Sequence, residues 1–368
     1  MSRKKILLVT TVCETFETIL KGQPKYLGRS YSVYVACSGD GVYSFAREEN
    51  ISGAFDVYME RGISPFKDIL SLFRLIKVIR KVRPDIVHSY TPKAGLLVAL
   101  ASYLFVPRRV HTFTGLIFPT SRGVKRLVLM LSDALVCFLN TDIVAEGEGV
   151  AKDLRCVMMG SKMPAIIGNG NIAGVDVDWF CRRKVLKEVG ELSEFVFCYV
   201  GRITPEKGIR ELLEAFLSLP GTPKLKIVGA VDETAPIPSA LLKEIMDNPR
   251  IEYFGFLNDI RSVLASSSVL VLPSYREGFP NVVLQAGAMS LPVIATNVNG
   301  SNEIIREGYN GWLVEPAKTE GLRGAMLEAL SSDRDALYKM GQNARKNVVN
   351  KYERGAYLGA LVNFYGVF

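Results

Sequence analysis

The sequence predicts an α/β fold made of two doubly wound lobes. Three observations carry this. Short β-rich runs alternate with longer helical patterns from end to end, which is the signature of βαβ units and hence of parallel sheets. The alternation forms two series that meet near residue 168. The chain has 368 residues, 48% of them hydrophobic, enough to bury two cores of ordinary size.

The first series opens on "KILLVT" (5–10), an apolar run that reads as a buried strand, and a helical pattern follows over 14–28. "SVYVACS" (32–38) is the next strand, followed by a basic helix over 66–83, the strand "DIVHSY" (85–90), a helix over 93–105 and the strand "RRVHTFTG" (108–115). After "IGNGNIAGVDVDWF" (167–180) the second series runs "FVFCYVG" (195–201), helix 206–218, "KLKIVGA" (224–230), helix 238–247 and "IEYFGF" (251–256). It continues with helix 258–266, "VLVLPS" (269–274), helix 280–290, "PVIAT" (292–296) and helices from about 318 onward. Ligands of open parallel sheets sit at the carboxyl ends of strands, so the exit loops are where chemistry is expected, with a cleft between the lobes as the active site.

Composition excludes several classes. The six cysteines contain no Cys-x-x-Cys pair and only His88 and His111 could join them, so neither a disulfide framework nor a zinc site is supported, and a reducing cytosol fits best. The N-terminus lacks a cleavage-site pattern, and "GLLVALASYLFV" and "RLVLMLSDALVCFLN" are too short to span a bilayer. Residues 1–167 hold 23 Lys+Arg against 14 Asp+Glu, whereas residues 168–368 hold 22 against 23, so the first half carries all of the net charge of +8. The helix over 66–83 concentrates it: apolar residues recur at 66, 69, 70, 73, 76 and 79, and six basic residues accompany one acid. Two readings follow, an ordinary core helix with a solvated basic face or a face drawn to anionic lipid headgroups. Basic residues without interleaved aromatics or a recognised motif do not support nucleic-acid binding.

Two loops of the second series combine the right chemistry. In "GRITPEKGI" a strand ends at Gly201, Thr204-Pro205 can cap the next helix, and Arg202 and Lys207 flank the loop. A helix N-terminus with an Arg fork and a Lys charge suits a diphosphate. In "YREGFPNVVLQAG" (275–287) Glu277 follows a buried strand, Pro280 takes the first helical position, and the amides of Gly278 to Val282 point out of the helix N-terminus. A carboxylate beside a phosphate is repelled, so Glu277 suits sugar hydroxyls, and Gln285, eight residues on and on roughly the same helix face, suits neutral hydroxyls. "GNGNIA" (168–173) matches a loose dinucleotide fingerprint without the helix it requires, and "DVD" (176–178) reads as a linker or cap.

These residues, with "CETFETILKGQ" (13–23), "DIVHSYTPKAGLL" (85–97), "VHTFTG" (110–115), "NVNGSNEII" (297–305) and "GWLVEP" (311–316), resemble the retaining glycosyltransferases of family 4, whose GT-B fold is two Rossmann-like lobes facing across a cleft. The resemblance is strongest to bacterial enzymes that build capsule, O-antigen or exopolysaccharide units on a lipid carrier. It implies an acceptor-binding lobe over 1–167, a nucleotide-sugar-binding lobe over 168–349, and a C-terminal helix, about 350–368, packed back on the first. It implies a hexosyl- or N-acetylhexosaminyltransferase, with a UDP-sugar as default donor, a lipid-linked saccharide as acceptor, and neither a cofactor nor a metal. The place implied is the cytoplasm, at the inner face of the membrane. Arg202 and Lys207 are implied to hold the diphosphate, with Gly201 beside them, and Glu277 to contact the transferred sugar. The amides of the stretch Gly278, Phe279, Pro280, Asn281 and Val282 are implied to hold sugar and phosphate oxygens, Gln285 to replace the acid that meets the ribose, and Phe256 to lie at the nucleobase. On the acceptor side Thr114 stands where many members carry histidine and His111 lies three residues earlier; both stay in play. An inactive or lectin-like GT-B protein, suggested by Gln285 and Thr114, and a hydrolase, which needs a second carboxyl group, are the alternatives.

Overall fold

The computed structural model describes residues 3–60, 62, 64–158, 163–189 and 194–366. The chain divides into unit 1, Met1–Gly174 with Gly355–Phe368, and unit 2, Val175–Arg354.

Unit 1 holds strands β1 (Lys5–Val12), β2 (Ser32–Ser38), β3 (Gly53–Asp56), β4 (Ile86–Ser89), β5 (Arg108–Phe113) and β6 (Asp142–Ala145), all parallel, in the order β3-β2-β1-β4-β5-β6. Alternate side chains of β1 feed opposite faces, as the strand period of two requires. Ile6 and Leu8 enter one core, and Leu7 and Val9 enter another beneath helices Pro65–Val82 and Pro92–Ser102. Unit 2 repeats the topology with β7 (Val196–Val200), β8 (Lys224–Val228), β9 (Ile251–Tyr253), β10 (Val269–Leu272), β11 (Val293–Thr296) and β12 (Gly311–Val314), ordered β12-β11-β10-β7-β8-β9. In both sheets the order reverses direction between the first and fourth strands, β1/β4 and β7/β10, and that switch point is where such sheets take ligands.

Several expectations need adjustment. The helix over 14–28 is two short helices, Cys13–Thr18 and Gln23–Leu27, because Gly22 turns the chain at φ 82 and Pro24 starts the second. Strands β3 and β6, the two edges of the unit 1 sheet, and the helices Gly41–Glu48 and Gly123–Leu139 went unpredicted. The division between units falls at 174/175 and not at 167/168. Asn171 adopts φ 64 and its Oδ1 accepts the amides of Ala173 and Gly174, both at 2.9 Å, so "GNGNIAG" is a side-chain-capped turn that still belongs to unit 1. Val175 then exchanges backbone hydrogen bonds with Tyr352 and Arg354 in unit 2. Asp176 Oδ1 accepts the amides of Asp178 and Trp179, which makes "DVD" a local cap.

The helix Arg354–Gly366 buries Tyr357, Leu358, Leu361 and Tyr365 in unit 1. Arg108 secures its end, donating to the carbonyls of Phe364 (2.9 Å) and Tyr365 (3.0 Å), where a cation also meets the negative end of the helix dipole. In helix Pro65–Val82 the buried stripe is Ser71, Leu75, Ile79 and Val82, while Phe66, Ile69, Leu70 and Phe73 are exposed. Of this core stripe the apolar count included only Ile79; it passed over Leu75, Val82 and Ser71, whose hydroxyl donates to the Tyr58 carbonyl at 2.5 Å.

Candidate active site

At the exit of β7 the chain makes a tight loop. Gly201 donates its amide to Val228 at the end of β8 and Ile203 to Ala230 just beyond it, and Tyr199, buried in β7, donates its hydroxyl to the Arg202 carbonyl at 2.7 Å. Burial pushes the Tyr199 hydroxyl pKa far up, so it remains a donor. Pro205–Lys207 form a single 3-10 turn, and helix Ile209–Leu217 begins only after Gly208. Thr204 has the backbone shape of a cap, but its buried hydroxyl makes no hydrogen bond, so it does not cap that turn as the sequence suggested.

Gly208 explains how this loop meets the next one. It adopts φ +71, and a Cβ at this position would lie 2.1 Å from the Pro273 carbonyl oxygen at the end of β10. Only glycine permits both the turn and that approach. The two exit loops are then joined: the Tyr275 amide donates to the Glu206 carbonyl at 2.9 Å, and Arg276 donates to the Glu206 carboxylate at 3.0 Å. The consequence is that Lys207 Nζ stands 2.6 Å from Glu277 Oε1, with the two side chains only 18% and 13% exposed. Arg202 remains exposed and is held at 2.7 Å by Asp232 and at 3.6 Å by Glu206. Thr234 hydroxyl and amide donate to Asp232, and these bonds, with Arg202, hold its carboxyl below the usual range.

Beyond Glu277 the helix Asn281–Ala288 begins with Pro280 as its N-cap residue, one position earlier in role than the sequence suggested. Proline has no N–H, so Pro280 supplies shape and no donor to the expected row. The amides of Gly278, Phe279 and Val282 find no acceptor among the described residues and sit at the positive end of the helix. Phe279 is buried against Tyr352 at a ring distance of 5.5 Å, which fixes the loop from below. Gln285 is half-buried and its side chain makes no hydrogen bond among the described residues. Phe256 stands exposed beyond β9. Among the described residues no group of three or more His, Cys, Asp or Glu could hold a metal ion.

The switch point of unit 1 is built differently. Thr11 and Thr91 share a hydroxyl contact of 2.6 Å between the β1 and β4 exits, and Thr91 also accepts the Thr11 amide. His88 is fully buried, its two ring nitrogens engaged by Tyr365 (2.5 Å) and Thr112 (2.7 Å). His111 is 1% exposed with Nδ1 2.8 Å from the Ser89 hydroxyl, and burial lowers its pKa to about 3, so it is a neutral core ring. Of the two acceptor-side candidates, Thr114 is the one with solvent access; its hydroxyl lies 3.4 Å from the Tyr90 carbonyl. Sequence reasoning missed Glu206 and Asp232, the acids that orient the loop cations. The turn-forming "VDET" was the available signal for Asp232.

A doubly wound unit whose switch point carries two cations, an ion-paired carboxylate and unsatisfied amides has the equipment of an enzyme that handles phosphorylated sugars. The comparisons name the class. The family described as "Glycosyl transferases group 1" matches residues 183–347, and "Glycosyl transferase 4-like" matches residues 5–136. The capsular polysaccharide biosynthesis glycosyltransferase CapM of Staphylococcus aureus is 30% identical over 377 residues, covering 100% of this chain and 98% of that protein. The UDP-Gal:alpha-D-GlcNAc-diphosphoundecaprenol alpha-1,3-galactosyltransferase of Escherichia coli is 28% identical over 336 residues, covering 88% of this chain and 85% of that protein. The crystal structure of Anabaena Alr3699/HepE in complex with UDP and glucose superposes with a TM-score of 0.82 at 18% identity and covers the whole of both chains, a likeness of fold. The chain belongs to glycosyltransferase family 4, and its two Rossmann-like units are those of the GT-B fold.

Proposed function

We propose that the chain transfers a hexosyl or N-acetylhexosaminyl group from a UDP-sugar to a lipid-carrier-linked saccharide, with retention at the anomeric carbon, in the assembly of a bacterial surface polysaccharide. The Lys207–Glu277 pair carries the reading: it sets a cation for phosphate and an acid for sugar hydroxyls 2.6 Å apart at the β7/β10 switch point. The names of relatives support the substrates, since the Escherichia coli protein is named for a UDP-sugar donor and a diphosphoundecaprenol acceptor. In this reading Val175–Arg354 is the donor unit and Met1–Gly174 the acceptor unit. Work on a lipid-linked acceptor puts the enzyme at the cytoplasmic face of the membrane as a peripheral protein; no described helix is long and apolar enough to cross it.

Negative charge grows on the leaving diphosphate as the sugar becomes oxocarbenium-like. Lys207, Arg202 and the amides of Gly278, Phe279 and Val282 are donors that stabilise that charge, and a preorganised set of this kind lowers the barrier without a metal. Glu277 orients the sugar, and Gln285 offers its amide to ribose hydroxyls. The test is incubation with radiolabelled UDP-sugars and bacterial lipid extract, with the anomeric configuration of the product read by NMR. An α-linked glycolipid from an α-linked donor is expected. Free sugar without a labelled lipid would make the protein a hydrolase, and UDP-sugar binding without turnover would make it a lectin-like protein.

A further inference from the structure

Helices Pro65–Val82, Pro92–Ser102 and Gly123–Leu139 pack side by side on one face of the unit 1 sheet, as the right-handed crossovers after β3, β4 and β5 require. The outer two share a pattern. On Gly123–Leu139 the exposed residues Val124, Leu127, Val128, Leu131, Leu135 and Phe138 fall on one stripe roughly 100° wide. On Pro65–Val82 the same six offsets are Phe66, Ile69, Leu70, Phe73, Lys77 and Arg80, so an exposed apolar half runs into a basic one. The exposure is large: 86% for Phe66, 78% for Val124 and 69% for Phe138. Exposed apolar stripes of this kind mark an interaction site.

The charges choose the occupant. Together these two helices carry Lys67, Arg74, Lys77, Arg80, Lys81, Lys125 and Arg126 against Asp68 and Asp133, and Asp68 is already bound by Lys93 at 2.6 Å. A second copy on this face would bring two basic surfaces together, whereas an anionic bilayer meets both the apolar stripe and the basic flank. Each helix runs antiparallel to the strands, so its first turns lie at the same carboxyl-end rim of the sheet at which β1 and β4 end and Thr11 meets Thr91. We infer that unit 1 docks on an anionic lipid surface through the outward stripes of Pro65–Val82 and Gly123–Leu139, which brings the β1/β4 rim to the headgroup level. This deepens, and rests on, the reading that the acceptor is lipid-linked.

The test is co-sedimentation with phosphatidylcholine vesicles with and without about 30% phosphatidylglycerol, and it needs neither acceptor nor turnover. Binding is expected only to the anionic vesicles and should fall steeply with salt. The variants Leu127→Ser/Leu131→Ser/Phe138→Ser and Arg74→Gln/Lys77→Gln/Arg80→Gln should each lower partition at least about tenfold while binding UDP as the parent does in calorimetry. Parental vesicle binding by both variants would overturn the inference. So would concentration-dependent dimerisation that only the Leu127 triple variant abolishes, without vesicle binding by the parent. Loss of UDP binding by the parent itself would refute the donor assignment and leave the vesicle result standing.

Discussion

Replacing Lys207 by Met tests the centre of the site, and the structure supplies the size of the effect. At 2.6 Å the Lys207–Glu277 attraction is about 6 kcal/mol with an effective dielectric of about 20. Both side chains are largely withdrawn from water, and desolvation takes back most of this, leaving a coupling of about 1–3 kcal/mol. Lys207→Met alone strands a Glu277 carboxylate that is only 13% exposed, and should cost about 3 kcal/mol. Glu277→Gln should cost less, because an ammonium on a flexible stem can reach water. The chain's two tryptophans, Trp179 and Trp312, both lie in unit 2, so their fluorescence during urea unfolding reports that unit alone. The cycle of Lys207→Met, Glu277→Gln and the double variant then isolates the pair. A coupling below about 0.5 kcal/mol would refute the ion pair as described. UDP at a hundred times its dissociation constant should stabilise the parent by about 2.7 kcal/mol and the Lys207→Met variant by far less. Equal stabilisation of both would refute the phosphate role of Lys207.

Two further outcomes follow from geometry and titration. Gly208→Ala forces a methyl group onto the Pro273 carbonyl in a left-handed turn and should destabilise unit 2 by about 1–3 kcal/mol, with weaker UDP binding, read by the same fluorescence. Asp133 sits on the inner side of helix Gly123–Leu139 with no ion pair or hydrogen bond among the described residues, and burial lifts its pKa from the ordinary 3.8 to about 6. The folded state therefore binds more protons than the unfolded one between these values, so stability falls as pH rises from about 4 to 6 and is lower above it. Asp133→Asn should stabilise the protein by about 1–3 kcal/mol at pH 7.5, shrinking towards zero at pH 4, by scanning calorimetry.

The sequence made the exit loops of β7 and β10 readable because their chemistry is local. Arg202, Lys207 and Glu277 each follow a strongly apolar strand, and strand ends are where open sheets place ligands. What joins them was not readable: residues 207 and 277 meet through a glycine contact with Pro273 and a backbone bond from Tyr275 to Glu206, both set by the β7–β10 neighbourhood. The parallel fold was legible from alternation, but the two edge strands of unit 1, β3 and β6, were missed although β4, β10 and β11 are equally short. The stripe of helix Pro65–Val82 was legible but its direction was not, because an apolar count cannot tell a core-facing stripe from one that faces a lipid surface. Here Leu75, Ile79 and Val82 suffice for the core, and Phe66, Ile69, Leu70 and Phe73 are left over.

The two units share one strand order, yet their switch points are finished in opposite ways, and that contrast bears on which ligand each can take. In unit 1 the groups around β1 and β4 satisfy one another: Thr11 with Thr91, His88 with Tyr365 and Thr112, Ser89 with His111. Both histidines there are held neutral by burial, so this rim offers hydroxyls such as Thr114 and little charge. In unit 2 the corresponding rim keeps Arg202 in solvent, pairs Lys207 with Glu277 and, among the described residues, leaves the amides of Gly278, Phe279 and Val282 without an acceptor at a helix start. A diphosphate needs fixed positive partners and is penalised without them, whereas a saccharide hydroxyl needs only neutral ones. On the proposed reading the anionic donor therefore falls to unit 2 and the neutral sugar of the acceptor to unit 1. Much of the excess positive charge of unit 1 lies instead on its outer helices, seven basic residues against two acids, where on the docking inference it has a lipid surface to meet.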